Sequence, residues 1–125
     1  MQFLNDEQVW LIDAPVGYSF EVIVPGNSST PCPSRLAQAE LVLDNIEAIQ
    51  KSAISHIEAF VDCSKFAENN KWTMEGVEFG RSLNEPNTQF IIFFSIVGDI
   101  YGEWSVLFQT SNNRHYPISF TRRQI

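Results

Sequence analysis

Between positions 36 and 61 the apolar residues Ala39, Val42, Leu43, Ile46, Ile49, Ala53, Ile57 and Phe60 recur at steps of three and four, and no glycine or proline interrupts them. That spacing is the 3.6-residue period of an amphipathic helix with one stripe turned to a core. Pro33 ends the extended approach and Ser34 is placed to cap the new N-terminus. The pattern predicts one continuous helix over about 34–62, of ~27 residues and ~40 Å, long enough to cross several strands. A rod of that length needs a sheet to lie on.

The flanking segments supply strand patterns. QVWLID and YSFEVIV are separated by APVG and read as two strands joined at Pro15 and Gly17. In the second, Tyr18, Phe20, Val22 and Val24 share one face, and Ser19, Glu21 and Ile23 the other. The loop PGNSSTPCPS at 25–34 leads into the helix. Beyond the helix, KWTMEGVEFGRSL is either one bulged strand or a small hairpin around Glu75-Gly76, and NEPN at 84–87 is a turn. TQFIIFFSIV is apolar without alternation, as in a central strand covered on both faces. In GDIYGEWSVLF the pair Gly98-Asp99 reverses the chain, and Trp104, Val106 and Phe108 return on one side of a strand. TSNNRH turns once more on Asn112-Asn113, and Pro117 in YPISFTRRQ suits an edge.

These elements predict a single α+β domain over 1–125, a twisted antiparallel sheet of about five to six strands in the order ββαββββ, with one long helix on one face. One helix covers one face only. Ile91, Phe93 and Val97 point opposite to Phe90, Ile92, Phe94 and Ile96, so the second face calls for the N-terminal hairpin, a curl of the sheet, or a second copy of the chain as a homodimer. Ten phenylalanines, 44% hydrophobic residues and 18% charged residues are the composition of a folding chain.

Charge bounds the partners. Of the formal −7, residues 1–63 carry nine acids against Arg35 and Lys51, and residues 64–125 carry six acids against six bases. That balance disfavours nucleic acid and favours a basic protein. On the expected helix, Glu40, Asp44, Glu47, Lys51, Ser55, Glu58 and Asp62 follow one another at steps of three and four. They fall within a wedge of roughly 80° opposite the apolar stripe. The row reads either as a solvated face or as an acidic ridge for a basic partner, with Glu40, Asp44, Glu47, Glu58 and Asp62 as the binding residues. Tyr101 and Trp104 are the candidate interface aromatics, with core packing the competing role for Trp104.

Catalytic signatures are missing. The chain has no GxSxG, GxGxxG, Gly-rich phosphate loop with Lys, or HExxH. His56 reads as a structural histidine and His115 as an exposed one, and neither is spaced with Cys32 or Cys63 as zinc ligands are. Glu75 and Glu78 have opposite strand parity unless a bulge intervenes, and Asp99 with Glu103 is the other imaginable acid pair. The expectation is therefore no enzyme, no cofactor and no metal. An atypical site gathering Asp99, Glu103, Arg114 and His115 is the remaining catalytic alternative. Across one continuous helix Cys32 and Cys63 stand roughly 45 Å apart against the ~5.5 Å of a disulfide. Free thiols, an N-terminal segment with acids where a signal peptide carries bases, and no apolar run of membrane-spanning length point to the cytoplasm. The basic group Arg114, His115, Arg122 and Arg123 is expected to pair with nearby acids such as Glu103.

A small acidic chain of this make-up, with YGEWSVLF followed by PISFTRRQ, resembles the immunity proteins that bacteria use against polymorphic or contact-dependent toxins. The resemblance implies a mode rather than particular residues: tight binding that occludes a basic toxin cleft, in many cases a nuclease's, with carboxylates in the place of phosphates. A self-associating structural or scaffold protein is the alternative.

Overall fold

The computed structural model describes residues 1–63, 72–80 and 88–125. Its strands are β1 (Gln2–Leu4), β2 (Val9–Ile12), β3 (Glu21–Pro25), β4 (Trp72–Glu78), β5 (Gln89–Ile96), β6 (Gly102–Ser111) and β7 (Arg114–Gln124), with α1 (Pro33–Leu43) and α2 (Ile46–Glu58) between β3 and β4. The seven strands form one sheet whose spatial order is their order in the chain.

This corrects the expected antiparallel sheet of five to six strands with a single helix in the order ββαββββ. The additional strand is β1, paired to β2 through Phe3↔Trp10, whose rings lie 5.3 Å apart. Gln8 makes the reversal with φ of 56° and bonds back to the Asn5 carbonyl at 2.7 Å. Three residues were too short a segment to carry a strand pattern. The sheet is mixed because β3 and β4 run parallel, Val22 beside Val77. A strand that leaves through helices and returns beside itself starts again from the same end, so its neighbour is parallel. All other neighbouring pairs are antiparallel.

The helix over 34–62 is likewise corrected to two. The break falls on Asp44-Asn45, where Asn45 has φ of −118° and ψ of 19°. Its amide Nδ2 donates to the Leu41 carbonyl at 3.1 Å, and its backbone N–H reaches back only three residues, to Val42. Asp and Asn side chains compete for backbone groups and so interrupt helices without the help of Gly or Pro. The apolar stripe survives the break, with Ala39, Val42, Ile46, Ile49, Ala53 and Ile57 all buried. Phe60 does not join it; it lies beyond α2 at the surface beside His56 and Phe120. At the other end Cys32, not Ser34, occupies the cap position, and Pro33 is the first helical residue.

Both helices lie on the face shown by Val22, Val24, Val77, Phe90, Ile92, Phe94, Trp104, Val106 and Phe108, and together they form the core. β5 alternates strictly, its even-numbered residues from Phe90 to Ile96 buried and Ile91, Phe93 and Ser95 half-buried. β5 is central, as its apolarity predicts, but among the described residues no helix lies over its second face. Segment 72–78 is one bulged strand, its register shifting between Met74 and Gly76. The NEPN turn lies outside the described residues. Gly98 alone takes the positive φ, 95°, of the β5–β6 turn, and Asn112 and Asn113 both take it at the β6–β7 turn, as a tight hairpin connection demands.

The two faces differ in what a truncation costs. Phe94→Ala, in the core, is expected to lose about 3–5 kcal/mol. Phe93→Ala, one residue away on the open face, is expected to lose under about 2 kcal/mol. Denaturant unfolding of the two variants checks the assignment.

Candidate functional site

The open face of the sheet carries a concavity of about 560 Å³. It arises from four strands whose outward residues set carboxylates around an apolar floor. β3 presents Glu21 and Ile23, β4 presents Glu75 and Glu78, β5 presents Phe93, and β6 presents Glu103 and Ser105, with Arg123 of β7 at the rim. Gly76 opens the hollow. It faces outward opposite Phe93 and beside Glu21, and a Cβ there would stand 3.3 Å from the Glu21 carbonyl oxygen. A larger residue would fill the space between them.

The bulge determines the charge. In a regular strand Glu75 and Glu78 would face opposite ways. The extra residue between Met74 and Gly76 turns both to the same side, where they line one wall. Glu75 accepts a hydrogen bond from Ser95 Oγ at 2.7 Å. Glu103 meets the Arg123 guanidinium at 2.7 Å, the pairing expected of that arginine. Among the described lining residues four carboxylates face one guanidinium.

The row on the helices fares differently. Glu40 lies on α1, Asp44 caps its end, Glu47 and Glu58 belong to α2, and Asp62 lies beyond it. Glu47 is paired with Lys51 at 3.3 Å. The five acids thus do not stand on one rod, and the geometric argument for a continuous ridge lapses at Asp44-Asn45. Of the interface aromatics, Tyr101 is 60% exposed, whereas Trp104 is 2% exposed and belongs to the core.

Asp99 explains the β5–β6 turn. Its carboxylate is only 8% exposed and accepts from Trp104 Nε1 at 2.8 Å and from Arg122 Nε and Nη2 at 2.8 and 2.7 Å. The bond to Asp99 raises the Arg122 pKa further above its ordinary value. Gly102 has no side chain because its Cβ position is occupied by that same carboxylate, with Arg122 Nε 2.8 Å away. A second hollow, of about 500 Å³, lies beside this turn and shares Glu75 and Glu103 with the first.

The four residues of the catalytic alternative do not converge. Asp99 and Glu103 lie at the Gly102↔Gln124 end of the β6–β7 hairpin, and His115 lies at the other end, opposite Thr110, next to Arg114. His115 is half-buried rather than exposed; its Nδ1 shares a 2.9 Å hydrogen bond with Thr110 Oγ1, and burial lowers its pKa. His56 packs edge-on against Phe60 and Phe120, a structural role. Both cysteines are free, and the hydrogen bond with Ser34 lowers the Cys32 thiol pKa. Among the described residues, no group of three His, Cys, Asp or Glu is placed to hold a metal ion, and no helix is long and apolar enough to cross a membrane.

Comparison with protein-family models, curated proteins and solved structures finds no match. Function therefore rests on the geometry of the site. Glu21, Glu75 and Glu78 were not among the residues expected to bind. Their signal was present as the polar partners of Val22, Val77 and the bulge, but joining them required the strand order.

Two measurements probe these local arrangements. Gly102→Ala must displace the Asp99 carboxylate and is expected to cost about 1–3 kcal/mol, with a shift of Trp104 fluorescence. His115 is expected to titrate below 6.5, its ordinary value. The unfolded chain then binds the proton first as pH falls, so stability declines on acidification from about pH 6.5. NMR titration of His115 and the pH dependence of unfolding in His115→Gln, where this share of the decline is lost, check the sign.

Proposed function

We propose that this chain is a protein-binding module that holds a basic protein segment against the open face of its sheet. One observation carries the reading: the carboxylates of Glu21, Glu75 and Glu103 surround a hollow floored by Ile23 and Phe93, with Arg123 at its rim. A basic segment would exchange water for charge-assisted hydrogen bonds there, and the field of the acids would steer its approach. An inhibitor of a basic toxin, the role implied by the immunity-protein resemblance, is the specific form this module would take. Acids on a concave face suit a protruding cationic element.

Self-association through the same face is the less favoured reading. Two copies meeting there would set the carboxylates of one against those of the other, and like charges in apposition oppose docking.

The test compares two variants of identical net charge. Glu21→Lys with Glu75→Lys reverses the hollow; Asp44→Lys with Glu47→Lys reverses the helix row. Binding of an acetylated octalysine peptide is followed by calorimetry at low and high salt. The hollow variant is expected to lose about tenfold or more in affinity and most of its salt dependence, and the helix variant to change by no more than about threefold. Equal losses in the two would reduce the effect to net charge and overturn the reading.

A further inference from the structure

The turn from β5 to β6 is built against the usual chemistry of turns. Polar residues and glycine ordinarily occupy such a tip, yet here Val97 is 58%, Ile100 76% and Tyr101 60% exposed. Ile125, 66% exposed, is tied to the same place by its N–H, which donates to the Tyr101 carbonyl at 2.8 Å. Apolar side chains clustered at one rigid corner are a common form of docking surface.

The corner is held in shape from below. Asp99 N–H donates to the Ile96 carbonyl at 3.1 Å, Gly102 N–H to the Asp99 carbonyl at 3.2 Å, and the Asp99 carboxylate is fastened to Trp104 and Arg122. A partner meeting this turn finds it already ordered, so little conformational freedom is lost on binding. The hollow beside it is walled by Val97, Ile100 and Ile125 and continues into the acidic one through Glu75 and Glu103.

We infer that the two hollows form one docking surface, and that its occupant is a protein segment carrying basic side chains interleaved with bulky aliphatic ones. The cations seat among Glu21, Glu75 and Glu103, and an aliphatic side chain seats against Val97 and Ile100. This rests on the reading of the acidic hollow given above and adds the apolar half of the recognition. Charge selects this occupant. Nucleic acid and anionic lipid surfaces are repelled by the shared carboxylates, and a second copy of the chain would bring the same carboxylates with it.

The experiment uses the full chain and two acetylated, amidated octapeptides of equal charge, one alternating Lys with Leu and the other Lys with Ser. Calorimetry is expected to show the Lys-Leu peptide binding about tenfold tighter or better, the effect of burying one leucine. Val97→Ser with Ile100→Ser should erase that preference and leave Lys-Ser binding unchanged. Glu21→Gln with Glu75→Gln should weaken both peptides. All four positions are exposed, and near-UV circular dichroism confirms that each variant keeps the native packing. Equal binding of the two peptides, or a preference that persists in the serine variant, overturns the inference and leaves the acidic hollow standing. If neither peptide binds, both readings fall. A dimer in sedimentation equilibrium that the serine variant dissolves would assign the corner to self-association and also overturn it.

Discussion

A sheet with a single helical crossover has helices for one face only. Here that crossover joins β3 to β4, the one parallel pair, and its two described helices are drawn onto the face where Phe90, Ile92 and Phe94 meet Val22 and Val77. Every other neighbouring pair is antiparallel, which needs no helix between its strands. The uneven distribution of connections therefore decides the burial of the molecule. One face becomes the core, and among the described residues no helix lies over the other, whose own side chains meet water or a partner.

The outward side chains do so with charge. Ile91, Phe93 and Leu107 are half-buried on the open face, and left to themselves they would invite another sheet. Glu21, Glu75, Glu78 and Glu103 surround the hollow beside them, and like charges of this kind oppose the docking of a second copy. Solubility alone would account for acids on this face. It does not account for the hollow, which depends on Gly76 and on the bulge that carries Glu75 to the same side as Glu78. Charges placed only to solubilise work equally well on a flat surface.

How much of this was legible depends on the range of the interactions involved. The apolar stripe from Ala39 to Ile57 is a local pattern, and the structure places it inward; β5 reads as apolar throughout, and only the structure shows which of its faces is the buried one. The break at Asp44-Asn45 was also local, but it came from two side chains that contest backbone hydrogen bonds rather than from the glycine or proline a helix pattern is searched for. The parallel pairing of β3 with β4 was nonlocal. So was the acidic hollow, since Glu21 and Glu75 become neighbours only through that pairing. Counting charge by halves of the chain obscured it further. The second half balances to zero, yet Arg122 is held by the buried Asp99 and Arg123 by Glu103 at the rim, while Glu75 lines the same hollow as Glu21 of the acidic half.

The Asp99 clamp ties the two themes together. A carboxylate this buried is costly unless it is paired, and here Arg122 and Trp104 both bond to it. Those bonds cross from the turn to β6 and β7, so the corner that exposes Val97, Ile100 and Tyr101 is fastened to the most extensive hairpin of the sheet. Gly102 is required for the same reason, since the carboxylate occupies the place of its side chain. A turn needed only to reverse the chain would be satisfied by Gly98 and polar neighbours. Holding a buried carboxylate by a half-exposed arginine beneath a corner that displays aliphatic side chains is intelligible if the corner must keep its shape while it is touched from outside.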